Sequence, residues 1–207
     1  MSSALLTPPV VLRPTRVVRA EPKPKRWTCD EFHRMGEAGF FEQSRVMLID
    51  GEILEMPVAN PPHATSKSLV EAALRVPFAS GFAIRTDNPL ILGRSIDPIP
   101  DVAVVVGTIR DYAATHPTTA QLVVEIGDST VDYDLDEKAS LYASAGIADY
   151  WVVDLVNRRL VVFRNPRVDS TQAHGFAYAT ETSHLPGQSV SPLAAPGSSV
   201  AVADLLP

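Results

Sequence analysis

Glu125 is the one charge in the run Leu122-Val-Val-Glu-Ile. A carboxylate in so apolar a strand is costly to bury unless it is paired, protonated or bound to a cation. Two accounts fit it: a cation site, or a strand end where the acid reaches water or a structural arginine. Asp101 repeats the pattern at the head of Asp101-Val-Ala-Val-Val-Val, where Pro100 holds the approach extended; Pro-Asp also marks ordinary turns. Lys138 is the third residue. In a helix expected over 134–145, Leu135, Lys138 and Tyr142 are three and then four apart and share one face, flanked by Leu141 and Ala145. An ion pair with Asp134 one turn earlier, with the ammonium reaching to solvent, explains the charge but not its place on the core side. Two carboxylates and an ammonium are what metal-assisted phosphodiester cleavage uses. Oxygen ligands suit Mg²⁺ or Mn²⁺, the metal acidifies bound water, and the ammonium offsets charge on the phosphoryl oxygens.

The elements that must position these residues are readable from pattern. Thr28 and Glu31 form a capping box, with Trp27 and Phe32 as a staple, for a helix running to about residue 37 and stopping near Gly39. Asp50-Gly51 between two apolar runs signals a two-residue hairpin. Asn60-Pro-Pro opens a helix over about 63–76, in which Leu69, Ala72, Ala73 and Val76 follow helical spacing as an apolar stripe, ended by Pro77. Strands are expected at 82–86, 90–92, 101–106 and 122–126; the last two are apolar enough to be covered on both faces. After the 134–145 helix and Gly146, 149–154 and 159–164 read as a second hairpin, followed by short strands near 177–180 and 199–203. The expected architecture is mixed α/β (α+β), a mixed sheet flanked by helices with a hairpin near each end.

The chain has 207 residues, 45% of them hydrophobic, which suits one domain. We expect a flexible basic, proline-bearing tail over 1–26 and a single domain over 27–207, with its core at 27–165 and a β extension at 166–207. The tail holds six basic residues against Glu21, a net of +5, so a total charge of −6 leaves −11 on the remainder. That balance argues against a protein that coats nucleic acid by charge alone. Cys29 is the single cysteine, which suits a reducing compartment, and with neither a secretory signal nor an apolar span the expected location is the cytoplasm. The five histidines have no zinc-like spacing and no phosphate-cradling glycine loop is present, so no organic cofactor is expected.

The stretch Leu122-Val-Val-Glu-Ile-Gly-Asp-Ser-Thr-Val-Asp-Tyr-Asp-Leu-Asp-Glu-Lys, continuing through Leu141-Tyr-Ala-Ser-Ala-Gly-Ile-Ala-Asp-Tyr-Trp-Val-Val-Asp, resembles the Uma-type family of the PD-(D/E)XK nuclease superfamily. The Leu48-Ile-Asp-Gly-Glu-Ile hairpin, the helix start at His63 and Pro100-Asp101-Val fit the same pattern. The resemblance runs from about Trp27 onward and implies a restriction-endonuclease-like fold. It implies a Mg²⁺- or Mn²⁺-dependent endonuclease acting on DNA as a homodimer. Asp101 and Glu125 would hold the metal with the Ile126 carbonyl, and Glu52 would be a further acid near it. The lysine usual two residues after the acid is replaced by Gly127, and Lys138 on the following helix takes its place. Where many relatives carry an acid, this chain has Met47. Two other classes stay open: a catalytically inactive nucleic-acid-binding or assembly module that keeps the fold, and a phosphodiesterase for small nucleotides.

Overall fold

A computed structural model describes residues 22–207. Six strands form the central sheet in the order β3 (Phe82–Thr86), β4 (Val102–Val106), β5 (Leu122–Gly127), β6 (Asp149–Asp154), β7 (Arg159–Val168), β8 (Phe176–His184). Only the β5–β6 pair is parallel, since a helical crossover joins those two strands. β4, β5 and β6 are buried on both faces, as their unbroken Val/Ile/Leu runs require. Each fully buried Val, Leu or Ile there contributes roughly 1.5–3 kcal/mol.

One face of the sheet packs Val102, Val104, Leu122, Val124 and Ile126 beneath helix α2 (Pro61–Leu74) and the segment Val202–Leu206. The other packs Val105, Val123 and Val152 beneath Tyr142 of helix α4 (Glu137–Ser144). Helix α1 (Cys29–Glu37) starts with the expected capping box, Thr28 Oγ1 accepting from the Glu31 N–H and Glu31 accepting from the Thr28 N–H. The hairpin of β1 (Val46–Ile49) and β2 (Glu52–Glu55) turns through Asp50 and Gly51, both at positive φ, 49° and 75°. A side chain at Gly51 would strike the backbone of Trp27, whose N–H donates to the Gly51 carbonyl, 2.9 Å away. That contact pins the hairpin to the start of the domain.

Four expectations need correction. Helix α2 begins at Pro61 and buries Ser66, Val70 and Leu74, not a stripe ending at Val76, which is exposed. Ser66 is buried because its hydroxyl donates to the Leu205 carbonyl, 2.7 Å away. Leu90–Leu92 is not a strand; its N–H groups bond to Pro98, Pro117 and Ile96 in a loop. The helix expected over 134–145 is two helices, α3 (Val131–Leu135) and α4, bent at Asp136 (φ −106°, ψ −74°). Past residue 166 the strands are longer and placed differently: β7 runs on to Val168, β8 spans nine residues of the main sheet, and β9 (Ser189–Val190) pairs with β10 (Val200–Ala201). The expected tail lies mostly outside the described residues. Of its basic residues, Lys25 pairs with Glu31 and Arg26 with Glu52.

Candidate active site

In the antiparallel β4–β5 pair Val102 lies opposite Val124, so the next residues outward, Asp101 and Glu125, face each other. An acid at the start of one strand thus meets an acid near the end of the next. The Ile126 N–H donates to Asp101 Oδ2 (2.8 Å), and the Asp101 N–H donates to Glu125 Oε2 (3.3 Å). From the helical side, Lys138 Nζ lies 3.1 Å from Glu125 Oε2 and 2.9 Å from Asp134 Oδ1. The bend at Asp136 sets Asp134, the last turn of α3, beside Lys138 in the first turn of α4. Tyr142, one turn beyond Lys138, donates to Glu125 Oε1 (2.7 Å), and Thr130 donates to Asp134 Oδ2 (3.1 Å). His63, in the first turn of α2, brings Nε2 to 3.2 Å from Asp101 Oδ2. With Nε2 donating, the buried Nδ1 is left as an acceptor without a partner among the described residues.

These groups floor a cavity of about 350 Å³. The β1–β2 hairpin supplies one wall through Met47, Leu54 and Met56, and the Asn60 cap of α2 and the 128–130 loop supply another. Asp101, Glu125, Ile126 and Lys138, named from sequence, therefore converge. Glu52 does not join them: it is 58% exposed and paired with Arg26. Met47 is an apolar part of the cavity wall.

Charge in this pocket is unbalanced. With Asp101, Glu125 and Asp134 ionised around the Lys138 ammonium, the cluster is left at a net −2. Glu125 feels it most: burial pushes its carboxyl up to about 8 in spite of Lys138, with Asp101 and Asp134 adding to the rise. Burial raises Asp134 as well, against the pull of Lys138. Burial would also raise Asp101, but the His63 bond and charge, the Ile126 N–H and Lys138 outweigh it and hold that carboxyl below its usual range. Lys138 is disfavoured by burial, yet Glu125 and Asp134 hold its ammonium well above the ordinary lysine value.

A divalent cation would cancel the residual charge, and the donor set is the hard oxygen kind that Mg²⁺ and Mn²⁺ take. Asp101 Oδ1 is free of hydrogen bonds among the described residues, and Ile126 lines the cavity beside it. Among the described residues no group of three or more His, Cys, Asp or Glu forms a ready-made cage. The fit is therefore to an ion that keeps several waters and takes one or two carboxylates.

The profile of the Uma2 family, described as "Putative restriction endonuclease", matches residues 29–203. The chain belongs to that family. This Uma2 chain is also similar to a crystal structure described as "a putative nuclease belonging to DUF820 from Anabaena variabilis ATCC 29413". The TM-score is 0.65 at 16% identity, over 86% of this chain and 96% of that one, a likeness of fold. No curated protein matches it. Family and fold support a nuclease, as the sequence implied. Within this Uma2 domain, sequence reasoning missed His63 as a partner of Asp101. The Asn60-Pro-Pro start placed it in a first helical turn, but nothing local told which strand end that turn would meet.

Proposed function

We propose that the protein is a Mg²⁺- or Mn²⁺-dependent endonuclease that hydrolyses phosphodiester bonds of DNA. The observation carrying this reading is the cluster of three buried carboxylates around one ammonium at the floor of an open cavity. Asp101, Glu125 and the Ile126 carbonyl would hold the ion. Bound there, it would supply an acidified water and a polarised phosphoryl oxygen. His63 and the Ile126 N–H fix the rotamer of Asp101, and Tyr142 fixes that of Glu125. Lys138 commits two of its three donors to Glu125 and Asp134 and turns toward the cavity, leaving a third for a phosphoryl oxygen or for water. The apolar hairpin wall keeps that interaction in a low dielectric, where it is strongest.

The same reading has the protein act as a homodimer, because cutting two strands takes two such sites, and in the cytoplasm, where a free buried Cys29 is at home. No helix among the described residues is long and apolar enough to cross a membrane.

Supercoiled plasmid and Mn²⁺ test the proposal. The wild type is expected to nick plasmid and to gain thermal stability with metal, about 2.7 kcal/mol at a hundredfold excess over Kd. Asp101→Asn is expected to lose activity by roughly 10²-fold or more while remaining folded. Full activity in Asp101→Asn, or no metal response in the wild type, sinks the assignment and favours a binding module.

A further inference from the structure

The substrate of this site would be a polyanion, yet the walls around it are largely apolar and carry more acid than base. Beyond the floor, Glu55 and Asp128 line the cavity, and the two permanent cations in its lining are Lys138 and Arg45. Lys138 is enclosed by Glu125 and Asp134. Arg45, at the foot of the hairpin, is 46% exposed. It is joined by Lys67, which stands one helical turn after His63 on the same face of α2. Both cations grip one carboxylate, that of Asp87: Arg45 Nη2 lies 3.0 Å from Oδ1, and Lys67 Nζ takes Oδ2. Asp87 is held at positive φ (52°), a conformation that Asp and Asn tolerate, and its N–H donates to the Asp101 carbonyl, 3.2 Å away. The three residues therefore sit directly beside the catalytic strand.

We propose that Arg45 and Lys67 form the seat for a backbone phosphate flanking the one to be cut, and that Asp87 fills this seat until a strand displaces it. Guanidinium and ammonium groups that converge on the paired oxygens of a carboxylate are arranged for the paired oxygens of a phosphodiester. The seat answers the difficulty that the body of the chain carries −11 outside residues 1–26. Its cations are cloaked by an internal acid in the free protein, so stray polyanions meet little attraction. A strand already drawn to the metal site brings its neighbouring phosphate to high local concentration and wins the exchange. The inference rests on the nuclease reading for what the strand is, but its signature is in binding.

The test is the binding of a fluorescently labelled DNA duplex with Ca²⁺ in place of Mn²⁺, so that the carboxylates hold a cation while cutting is suppressed, as a function of salt. For Arg45→Gln/Lys67→Gln, affinity is expected to fall about tenfold or more, with the slope of log Kd against log salt reduced by about 2, as loss of two phosphate contacts implies. For Asp87→Asn, which keeps the left-handed backbone, affinity is expected to rise severalfold, because the competing carboxylate is gone. Arg45→Lys is expected to recover part of the slope lost in Arg45→Gln. A merely structural ion cluster predicts the opposite for Asp87→Asn, weaker or unchanged binding with a lower thermal midpoint, and that result overturns the inference. So does wild-type binding that is undetectable at low salt, or an unchanged slope in the double variant. Plasmid cleavage with Mn²⁺ is scored separately. Cleavage with an unaltered salt slope removes the phosphate seat and leaves the nuclease, whereas the expected binding shifts without cleavage remove the nuclease and leave the seat.

Discussion

Asp149 and Asp154 are buried at the two ends of β6, and each is closed off by an arginine from β7: Arg164 at 2.8 Å and Arg159 at 2.8 Å. That is how a structural acid is normally settled in a sheet. Glu125 is settled differently. Its cation is a lysine shared with Asp134, so neither acid is fully compensated. Titration should expose the difference. With Glu125 raised to about 8, the folded protein binds more protons than the unfolded chain between the ordinary carboxylate range and pH 8, so this group's contribution declines as pH rises through that window. Metal-free protein is expected to lose several degrees of thermal midpoint from pH 5 to pH 8, and Glu125→Gln to flatten the trend. Divalent metal should restore more at pH 8 than at pH 5, because its ligands must be deprotonated. Scanning calorimetry across pH with and without Mn²⁺ checks all three. Lys138→Met removes the cation and leaves three acids in one pocket. We expect a cost of about 3–5 kcal/mol near neutrality, smaller in acid, with cleavage abolished; denaturant melts at two pH values measure it.

At the scale of elements, position 127 has no room for the lysine that the resemblance would place there. A Cβ on Gly127 would come within 2.9 Å of the Val131 Cα, so α3 packs on β5 with no room for a side chain. The ammonium has to arrive from elsewhere, and the bend at Asp136 lets α4 deliver it. Gly127→Ala is therefore expected to destabilise by about 1–3 kcal/mol and to shift α3 off the strand, moving Asp134 away from Lys138; chemical denaturation together with metal affinity would show both. The sequence carried the acids and the lysine clearly, because a lone charge in an apolar run and a cation on a core face are local signals. The α1 cap and the Asp-Gly turn were local signals too. The bend at Asp136 was not readable, since neither glycine nor proline marks it. The face of α2 was misjudged because Ser66 is buried by a bond to a residue 139 positions away. The loop at Leu90–Leu92 looked like a strand because its apolar residues are buried, as Leu90 is, while its backbone bonds run to turns.

At the scale of the whole molecule, the segment Val202–Leu206 closes one face of the sheet. Val202 and Leu205 are wholly buried against α2 and the strands, next to Val70 and Leu74. Leu205→Ala is expected to cost about 2–5 kcal/mol, a large part of the stability of a domain this size. Because α2 carries His63, the same change should weaken cleavage more than a core substitution of equal cost on the opposite face, such as Val161→Ala. Matched denaturation and nicking assays on the two variants make that comparison.

The bond from Ser66 to Leu205 also sets an order of events. A growing chain can pair β4 with β5 and bring Asp101 and Glu125 together long before Leu205 has been synthesised. Helix α2, with His63 and Lys67 on it, can pack on that sheet but lacks the segment that closes over it, and the Ser66 hydroxyl lacks its acceptor, until then. An unfinished copy on the ribosome would hold the acids with that helix less firmly fixed beside them. On the nuclease reading, the site would be fully aligned only once Leu205 is in place.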